Sequence, residues 1–283
     1  MSDEITQISG IKEAIDAGTL LAGPLVPLLD PSNRIPFVIL PAGCHIEDIE
    51  KLLPFPTRKH AKVSVSTTDS FIAYAKKHGS LDECVIYAQI DAEKSACTLV
   101  ALMNDNGADA PKWRDHRCTF APALSVEWKR WTCKDGVKNA MTQADFATWL
   151  EDNQGDVRSV GGSPSGSDML TLALAFEATA DKRVKSHVNL QNGRIRLEFV
   201  EDETKDTRTS MEVFRRFTLA IPVFDGSSDA YPVEARLKYR DNSGKVTFWY
   251  ELIRPDRAFK TAVQSVLDQI KDSTGFLLIH GAP

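Results

Sequence analysis

Residues 113 to 133, WRDHRCTFAPALSVEWKRWTC, concentrate the side chains of this chain that could do chemistry. The stretch holds three of the five tryptophans, together with one histidine and two cysteines. Side chains of these types bind metal ions, form nucleophilic sites, stack on nucleic-acid bases or pack in a hydrophobic core. Four alternative roles therefore have to be weighed for this one segment.

A metal site here would use His116, Cys118 and Cys133, with Cys44 and His45 far upstream. Structural zinc sites usually contain a paired CxxC or HxxxH motif, which holds two ligands at a fixed angle. The chain has no such pair, so we predict no metal ligands and no cofactor. The favoured interpretation is buried thiols and a polar histidine at the end of a strand.

A cysteine nucleophile needs a histidine base and a carboxylate that orients the histidine. His116 and Cys118 share a face of an extended chain, whereas Asp115 points to the opposite face, so the three do not assemble locally. The sequence also lacks GxxxxGK[ST], GxGxxG, HExxH and GxSxG motifs. We therefore predict no catalytic residues, and a Cys/His-dependent enzyme is the least favoured alternative.

Cations interleave with aromatic rings around WKRW at residues 128–131, a pattern that binds single-stranded nucleic acid by stacking and charge neutralisation. A second basic group surrounds a predicted hairpin further along the chain. The candidate nucleic-acid-binding residues are Arg114, Arg117, Lys129, Arg130, Lys182, Arg183, Lys185, Arg194 and Arg196. The favoured alternative places Trp113, Trp128, Trp131 and Trp149 in the core or in a subunit interface, beside solvated charges.

Composition limits the class of protein. The 283 residues include 34 Lys and Arg against 39 Asp and Glu, a net charge of −5, which argues against a surface built as a whole to hold nucleic acid or anionic lipid. The apolar run GTLLAGPLVPLLDP contains three prolines and is too short to cross a membrane. The start MSDEITQISG lacks the features of a secretory signal, and five cysteines without a CxxC pair fit reduced thiols. We therefore expect a cytoplasmic protein without a membrane partner.

The elements before the tryptophan-rich segment can be predicted from hydrophobic spacing. Val63 and Val65 alternate with polar residues, as in a half-buried strand. Thr68 or Asp69 can then cap a helix that ends at Gly79. The runs ECVIYAQID and CTLVALMND predict the two strands of a hairpin. This part of the chain is expected to mix strands and helices.

Sequence signals after residue 133 predict a further helix and a domain boundary. Thr142, three residues before Asp145, predicts the start of a helix. Residues 155–168, GDVRSVGGSPSGSD, are rich in Gly, Ser and Pro and are typical of a flexible connection. We predict an N-terminal α+β domain (1–155), a linker or mobile loop (156–168) and a C-terminal β-rich domain with a final helix and strand (169–283).

The C-terminal part begins with MLTLALAFEATA, predicted as a helix capped by Ser167 or Asp168. Asn192-Gly193 then lies between two alternating runs and predicts a type I′ hairpin. Further strands are predicted in RRFTLAIPVFDG and YPVEARLKYRDNSGKVTFWYELI, followed by the amphipathic helix DRAFKTAVQSVLDQIKDSTG and the strand FLLIH. The predicted class is α+β, with a mixed α/β N-terminal half followed by an antiparallel sheet with covering helices.

Several blocks resemble a known family: PFVILPAG, KVSVSTTDSFIAYAKKHGS, WRDHRCTFAPALSVEWKRW, QADFATWLEDN, EARLKYR and FWYELIRPDRAF. Together they resemble the YfdQ-like family of uncharacterised tailed-phage and prophage proteins over nearly the whole chain. The resemblance implies a phage or prophage gene in a bacterial cytoplasm, and it supplies no catalytic residues. We therefore expect a non-enzymatic accessory protein that assembles into a homo-oligomer, with a nucleic-acid-binding accessory of phage replication or recombination as the alternative.

Overall fold

A computed structural model of the protein describes Gly18 and residues 53–108, 110–177, 183–189, 194–202, 205–242 and 245–283. Side chains are described in the same ranges, except at residues 176–213 and 241–245. The chain divides into two compact units, Met1–Arg58 and Lys59–Pro283. The elements below all belong to the second unit, and they confirm the predicted α+β class.

The described strands are β1 (Ala61–Val65), β2 (Val85–Asp91), β3 (Ala96–Leu102), β4 (His116–Phe120), β5 (Met141–Thr142), β6 (Arg183–Asn189), β7 (Arg194–Asp202), β8 (Lys205–Phe214), β9 (Arg216–Ile221), β10 (Tyr231–Asn242), β11 (Lys245–Ile253) and β12 (Leu277–His280). The described α-helices are α1 (Thr68–His78), α2 (Val126–Cys133), α3 (Gln143–Asn153), α4 (Gly166–Glu177) and α5 (Pro255–Thr274). None of these helices is both long enough and apolar enough to cross a membrane.

The first sheet has the strand order β1-β4-β3-β2-β12. β1 runs parallel to β4 and β12 parallel to β2, while β3 is antiparallel to both of its neighbours. Helix α1 packs on β4 and contacts α5. Phe71 and Ala75 of α1 are buried, as are Cys118 and Phe120, which alternate with half-buried residues along β4. The predicted hairpin of β2 and β3 is confirmed.

The second sheet is antiparallel, with the order β5-β11-β10-β9. Helix α3 contacts β11, where the rings of Phe146 and Phe248 stack with centroids 5.1 Å apart and planes 8° from parallel. Helix α5 contacts β10. The buried rings between these helices and strands belong to one hydrophobic core that also includes the first sheet.

A third sheet is formed by β6, β7 and β8 in antiparallel order. The strands β6 and β7 flank the predicted turn at Asn192-Gly193 and pair with each other, whereas the turn itself lies outside the described residues. Strand β8 was not predicted, because its run KDTRTSMEVF contains few apolar residues and two charges at its start. Its pairing with β7 is therefore a feature that the pattern of hydrophobic residues did not show.

Helix α1 begins one residue earlier than the alternatives predicted. Thr67, not Thr68 or Asp69, is the N-cap residue, and its Oγ1 accepts a bond of 3.2 Å from the Ser70 N–H. The correction has a simple cause: Thr67 is the last residue with extended backbone angles, which the N-cap position requires. Gly79 ends the helix as predicted and donates its N–H to the Ala75 carbonyl.

The predicted N-cap residue is confirmed for α3 and corrected for α4. Thr142 caps α3, and its Oγ1 accepts from the Asp145 N–H at 3.2 Å, as predicted. At the start of α4, Ser165 takes the position that was assigned to Ser167 or Asp168, because its Oγ accepts from the Asp168 N–H at 3.2 Å. The Asp168 carboxylate accepts in return from the Ser165 N–H, so the pair forms a reciprocal cap.

The segment predicted as a linker, residues 156–168, lies inside the second unit. Val157 forms an isolated antiparallel bridge with β9, and the Arg158 N–H donates to the Thr218 carbonyl at 2.9 Å. Ser163 Oγ lies 3.2 Å from Thr218 Oγ1. These bonds attach the segment to β9 at two places, while the division into domains on either side of it stays a prediction.

Candidate functional site

The second half of the tryptophan-rich segment forms helix α2. Ser125 caps it, accepting from the Trp128 N–H at 2.9 Å and donating to the Pro222 carbonyl at 2.6 Å. Trp128 and Trp131 are three residues apart, so a helix places them on one face. Both side chains are buried, with 1% and 0% of their surface exposed.

The indole of Trp131 lies at the centre of an aromatic cluster. Its ring centroid is 5.5 Å from that of Trp149, 6.0 Å from that of Phe217 and 5.1 Å from that of Tyr250. Trp131 Nε1 donates to the Asp156 carboxylate at 2.7 Å, and the Tyr250 hydroxyl donates to the Trp131 carbonyl at 2.8 Å. Trp131 therefore holds α2, α3 and the second sheet together rather than facing a ligand.

The other tryptophans differ in their exposure. Trp113 is 78% exposed and Trp149 is half-buried. The indole nitrogens of Trp128 and Trp149 are buried and have no hydrogen-bond partner among the described residues. A role of Trp113, Trp128, Trp131 and Trp149 in subunit contacts stays a prediction. Trp113 is the most exposed of the four.

The arginines in the segment make bonds within the chain. Arg114 Nε donates to the Asp105 carboxylate at 2.7 Å, and its guanidinium lies 5.8 Å from the centroid of the Tyr87 ring. Arg117 Nε donates to the Arg114 carbonyl at 2.9 Å. Arg130 donates to the Asn153 side chain at 2.6 Å, whereas Lys129 is exposed. These bonds orient three of the candidate cations toward the protein's own surface loops and helices.

The second group of basic residues lies on two paired strands, for which the structure describes the backbone but not the side chains. Arg183 and Lys185 lie on β6, and Arg194 and Arg196 lie on the neighbouring strand β7. Lys182 lies outside the described residues. A nucleic-acid interface on these two strands stays a prediction.

The histidine of the segment joins a second cluster, between α1 and β4. His116 is 4% exposed, and its Nε2 lies 3.0 Å from the Tyr74 hydroxyl. The His78 ring centroid lies 4.5 Å from that of Tyr74 and 5.3 Å from that of His116. His78 Nδ1 is buried and has no hydrogen-bond partner among the described residues. We call Tyr74, His78 and His116 the imidazole cluster.

Burial changes the proton affinity of the imidazole cluster. Desolvation, followed by the charges of Lys77 and Lys59, lowers the pKa of His78. Desolvation also lowers the pKa of His116, with His78 and Lys59 as the next contributions. Because removing an imidazolium from water is unfavourable, both rings are held in the neutral form at neutral pH.

The cysteines near this cluster are not activated. Burial raises the pKa of Cys118 to about 11, so its thiol stays protonated at neutral pH. Asp115 accepts a bond from the Asn104 amide at 2.9 Å, and His116 is occupied by Tyr74. The Cys118 thiol is therefore not held as the thiolate that a cysteine nucleophile requires. Across the described ranges, no three His, Cys, Asp or Glu side chains lie close enough together to hold a metal ion.

Strand β12 is an open edge of the first sheet. In the described strand order it is the last strand and pairs with β2 on one side. Leu277 is 59% exposed and Ile279 is 38% exposed, while Leu278 between them packs against the core. The strand LLIH contains no acidic residue, lysine or arginine. We call Leu277–His280, which pairs with no second strand among those described, the β12 edge.

A cleft lies where β1 and β4 end and α1 begins. Its volume is about 770 Å³, which lies in the range of small-molecule sites. Loop residues after β9 and the middle of α5 form the opposite wall. Its polar lining residues include Asp69, Asp225, Ser227, Asp229 and Gln269.

Residues 13–283 match the family described as uncharacterised conserved protein DUF2303. The chain belongs to this family. A comparison with curated proteins found no match. The family description assigns no activity and no residue role. A function can therefore be inferred only from the residues and geometry of this chain.

The sequence predicted neither the cleft nor the position of β12 at the edge of a sheet. FLLIH was predicted as a strand, but its position at the end of a sheet depends on its pairing with β2. The cleft brings together residues near positions 66, 225 and 265, which are far apart in the chain. The turn-forming run Asp225-Gly226-Ser227-Ser228-Asp229 was the available signal for the loop, because such residues favour turns.

Proposed function

We propose that the protein is a non-enzymatic, cytoplasmic accessory protein of tailed phages and prophages that assembles into a homo-oligomer through the β12 edge. The phage context and the bacterial cytoplasm are supported by the resemblance of the sequence blocks to the YfdQ-like family. The assembly is supported by one observation above others: among the described strands, β12 is the last strand of its sheet, and its four residues are apolar apart from His280.

Edge strands usually carry features that prevent pairing with another chain. Lysines, prolines, bulges or a covering segment serve this purpose in monomeric proteins. The four residues of β12 include no lysine or proline, and its pairing with β2 has no bulge. None of the described strands pairs with its outward backbone N–H and C=O groups, so these groups can bond to a strand of another chain.

The two exposed side chains of the β12 edge lie beside Val85 and Tyr87 of β2, and the Arg114 guanidinium lies over the Tyr87 ring. In the strand register, Leu277 lies beside Val85 and Ile279 beside Tyr87, on the face away from α1. Tyr87 pairs in turn with Val100 of β3, and the three side chains of β2 and β3 are half-buried. A second molecule at the edge would thus cover the exposed Leu277 and Ile279 side chains as well as satisfy backbone groups.

A second copy of this chain is the occupant that fits the edge best. If two β12 strands pair antiparallel about a two-fold axis at Leu278, Leu277 of each copy lies opposite Ile279 of the other. The contact is self-complementary, as an isologous interface requires, and joins two five-stranded sheets into one.

The mass of the purified protein in solution tests this proposal. Light scattering coupled to size exclusion at micromolar concentration should give at least twice the chain mass of 31.3 kDa. The double variant Leu277→Lys, Ile279→Lys should give the mass of one chain, because two copies would bring four lysines together. The matched control is Leu174→Lys, which places a lysine at another exposed leucine, on α4, and should keep the oligomer.

Two results would overturn the proposal. One is a wild-type mass of one chain, and the other is an oligomer that the double variant leaves intact. The absorbance ratio at 260 and 280 nm on the same peak tests the alternative of nucleic-acid binding. A peak that carries nucleic acid and loses it on Lys129→Glu, Arg196→Glu would favour that alternative.

A further inference from the structure

The second sheet has one face in the core and one face toward solvent. Along β10, the side chains of Val233, Ala235 and Leu237 are buried, whereas the residues that alternate with them are exposed. Cross-strand partners in a sheet share a face, so the register with β9 and β11 shows which residues join the exposed ones. We call this exposed side the outer face of the second sheet. Its charged residues on the three strands are Arg216, Glu234, Arg236, Lys238, Arg240 and Glu251.

A fifth cation reaches the outer face from the segment beside β9. Val157 bridges Leu219, and the Arg158 N–H donates to the Thr218 carbonyl at 2.9 Å, so Arg158 lies next to Thr218. Thr218 belongs to the outer face, because its partner on β10 is Glu234. Arg158 is exposed there. The outer face thus carries five cations and two carboxylates, in a chain whose net charge is −5.

The two carboxylates neutralise little of this charge. Glu234 Oε2 lies 3.5 Å from Arg216 Nη1, and Glu251 Oε2 lies 3.9 Å from Lys238 Nζ. The four side chains are between 41% and 57% exposed. Ion pairs this long and this open to solvent contribute little, because water and salt screen them. Most of the positive charge of the outer face is therefore available to an anion outside the chain.

Two of the arginines are direct neighbours. Arg216 of β9 and Arg236 of β10 are partners in the strand register. Like charges opposite each other destabilise a sheet, and an anion that contacts both would remove that cost. Arg158, Arg236 and Arg240 form no ion pair within the part of the chain that the structure describes. This arrangement favours an anionic ligand independently of the number of cations.

The aromatic side chain on the outer face is covered. Trp249, the partner of Lys238 in the register, is 9% exposed, and the Arg240 guanidinium lies 5.7 Å from its ring centroid. None of the exposed large apolar side chains of the described chain lies on β9, β10 or β11. Protein interfaces and membrane-bound surfaces use such side chains as anchors, and single-stranded nucleic acid stacks its bases on exposed rings. A ligand of the outer face would therefore be held by charge, at repeated anionic groups.

We propose that the outer face binds nucleic acid through its phosphate backbone, without reading the bases. Arg236, Lys238 and Arg240 occupy alternate positions of β10, which places neighbouring cations about 7 Å apart in a row. A row of charge can follow a phosphodiester strand, and a planar guanidinium group gives a phosphate two parallel hydrogen bonds. These cations are not among those that the sequence predicted for nucleic-acid binding. The contact does not depend on the β12 edge, which belongs to the first sheet.

Fluorescence anisotropy of a labelled DNA duplex, titrated with the full chain, tests the proposal. The duplex should bind at low salt, and a second duplex of unrelated sequence should bind equally well. Each phosphate contact releases counterions, so the dissociation constant should rise about a hundredfold or more between about 50 and 200 mM salt. A single strand of the same length should bind no more tightly than the duplex, because the outer face offers no exposed ring for stacking.

Paired substitutions locate the site. Arg158→Gln with Arg236→Gln removes two cations that make no side-chain bond within the described structure, so the fold should be kept, as circular dichroism would verify. Loss of two phosphate contacts should weaken binding at about 50 mM salt at least tenfold and make the salt slope less steep by about 1.8. The matched control, Lys76→Gln with Lys271→Gln, removes the same charge from exposed positions on α1 and α5 and should leave both values close to wild type.

Each result supports or overturns the proposal. Duplex binding that weakens in the outer-face variant and not in the control supports it. Equal effects of the two double variants would reduce the binding to general attraction and overturn it, as would a preference for the single strand or no binding at about 50 mM salt. Tighter binding to polyglutamate, or to vesicles that contain phosphatidylserine, would identify a different partner and would also overturn it.

Discussion

The imidazole cluster and the cluster around Trp131 both place aromatic rings between a helix and a sheet. They differ in whether those rings bear groups that can bind a proton. Trp131 has no exposed surface and touches three other aromatic rings. In the imidazole cluster, the Tyr74 hydroxyl contacts His116, and His78 Nδ1 is buried without a partner among the described residues. The first cluster buries mainly carbon, and the second buries groups that can take up a proton.

This difference determines how each cluster contributes to stability. Burial of apolar rings stabilises the fold at any pH, because the transfer of carbon out of water involves no proton. Burial of a neutral imidazole lowers the free energy of unfolding at any pH at which the same group binds a proton in the unfolded chain. The tryptophan cluster should therefore dominate stability, and the imidazole cluster should make stability depend on pH.

The largest effect is expected for Trp131→Ala. The substitution removes a fully buried indole and leaves the Asp156 carboxylate without its donor. Truncation of a buried tryptophan lowers the free energy of unfolding by about 3–5 kcal/mol. Urea denaturation at pH 8, followed by circular dichroism, measures the change.

Trp131→Phe is the graded control, because phenylalanine keeps most ring contacts and loses only the Nε1 bond. Its effect should lie between those of wild type and Trp131→Ala. A loss below about 0.5 kcal/mol for Trp131→Ala would contradict the assignment of this ring to the centre of the core, since substitutions at exposed sites give changes of that size.

The second effect is a loss of stability in mild acid. Burial lowers the pKa of both His78 and His116 in the folded state, so as pH falls through about 6.5 the unfolded chain takes up protons first. The free energy of unfolding should be level near pH 8 and fall below pH 6.5. The slope should reach about 1.4 kcal/mol per pH unit for each proton bound only by the unfolded chain.

His78→Leu separates this cause from other titrations. Leucine fills the space of the ring, cannot ionise and removes the unpartnered Nδ1, so the slope between pH 7 and 5.5 should decrease. Trp113→Phe, an exposed ring outside the cluster, should keep the wild-type slope. An unchanged slope in His78→Leu would show that the imidazole cluster does not cause the acid sensitivity.

The elements that sequence predicted are those with local causes. The Thr142 cap fixes the start of α3 through a bond to a residue three positions away, and β2 and β3 pair across a short turn. Such features depend on neighbouring residues, which the sequence shows directly. The exact caps of α1 and α4 were displaced because several hydroxyl and carboxyl residues in a row can each serve as the cap.

Features that depend on distant residues were not predicted. The parallel pairing of β1 with β4 joins Ala61 to His116, and it places the Tyr74 hydroxyl against His116 Nε2. Hydrophobic alternation indicates which face of a strand is buried, but it does not identify the neighbouring strand. The cleft and the β12 edge are products of strand order, so their chemistry appeared only once the sheet was assembled.

The smallest effect on stability is expected for Trp113→Phe. This indole is 78% exposed, whereas Trp128 and Trp131 of the same tryptophan-rich segment are buried. Exposed substitutions usually change the free energy of unfolding by no more than about 0.5 kcal/mol.

Yet Trp113 should supply most of the tryptophan emission that acrylamide quenches, since Trp249 is 9% exposed and Trp149 is half-buried. Trp113→Phe should therefore remove most of the quenchable emission at nearly unchanged stability. Quenching that stays the same would place the accessible indole at another tryptophan, such as Trp149 or Trp249, and would contradict the contrast between the two ends of the tryptophan-rich segment.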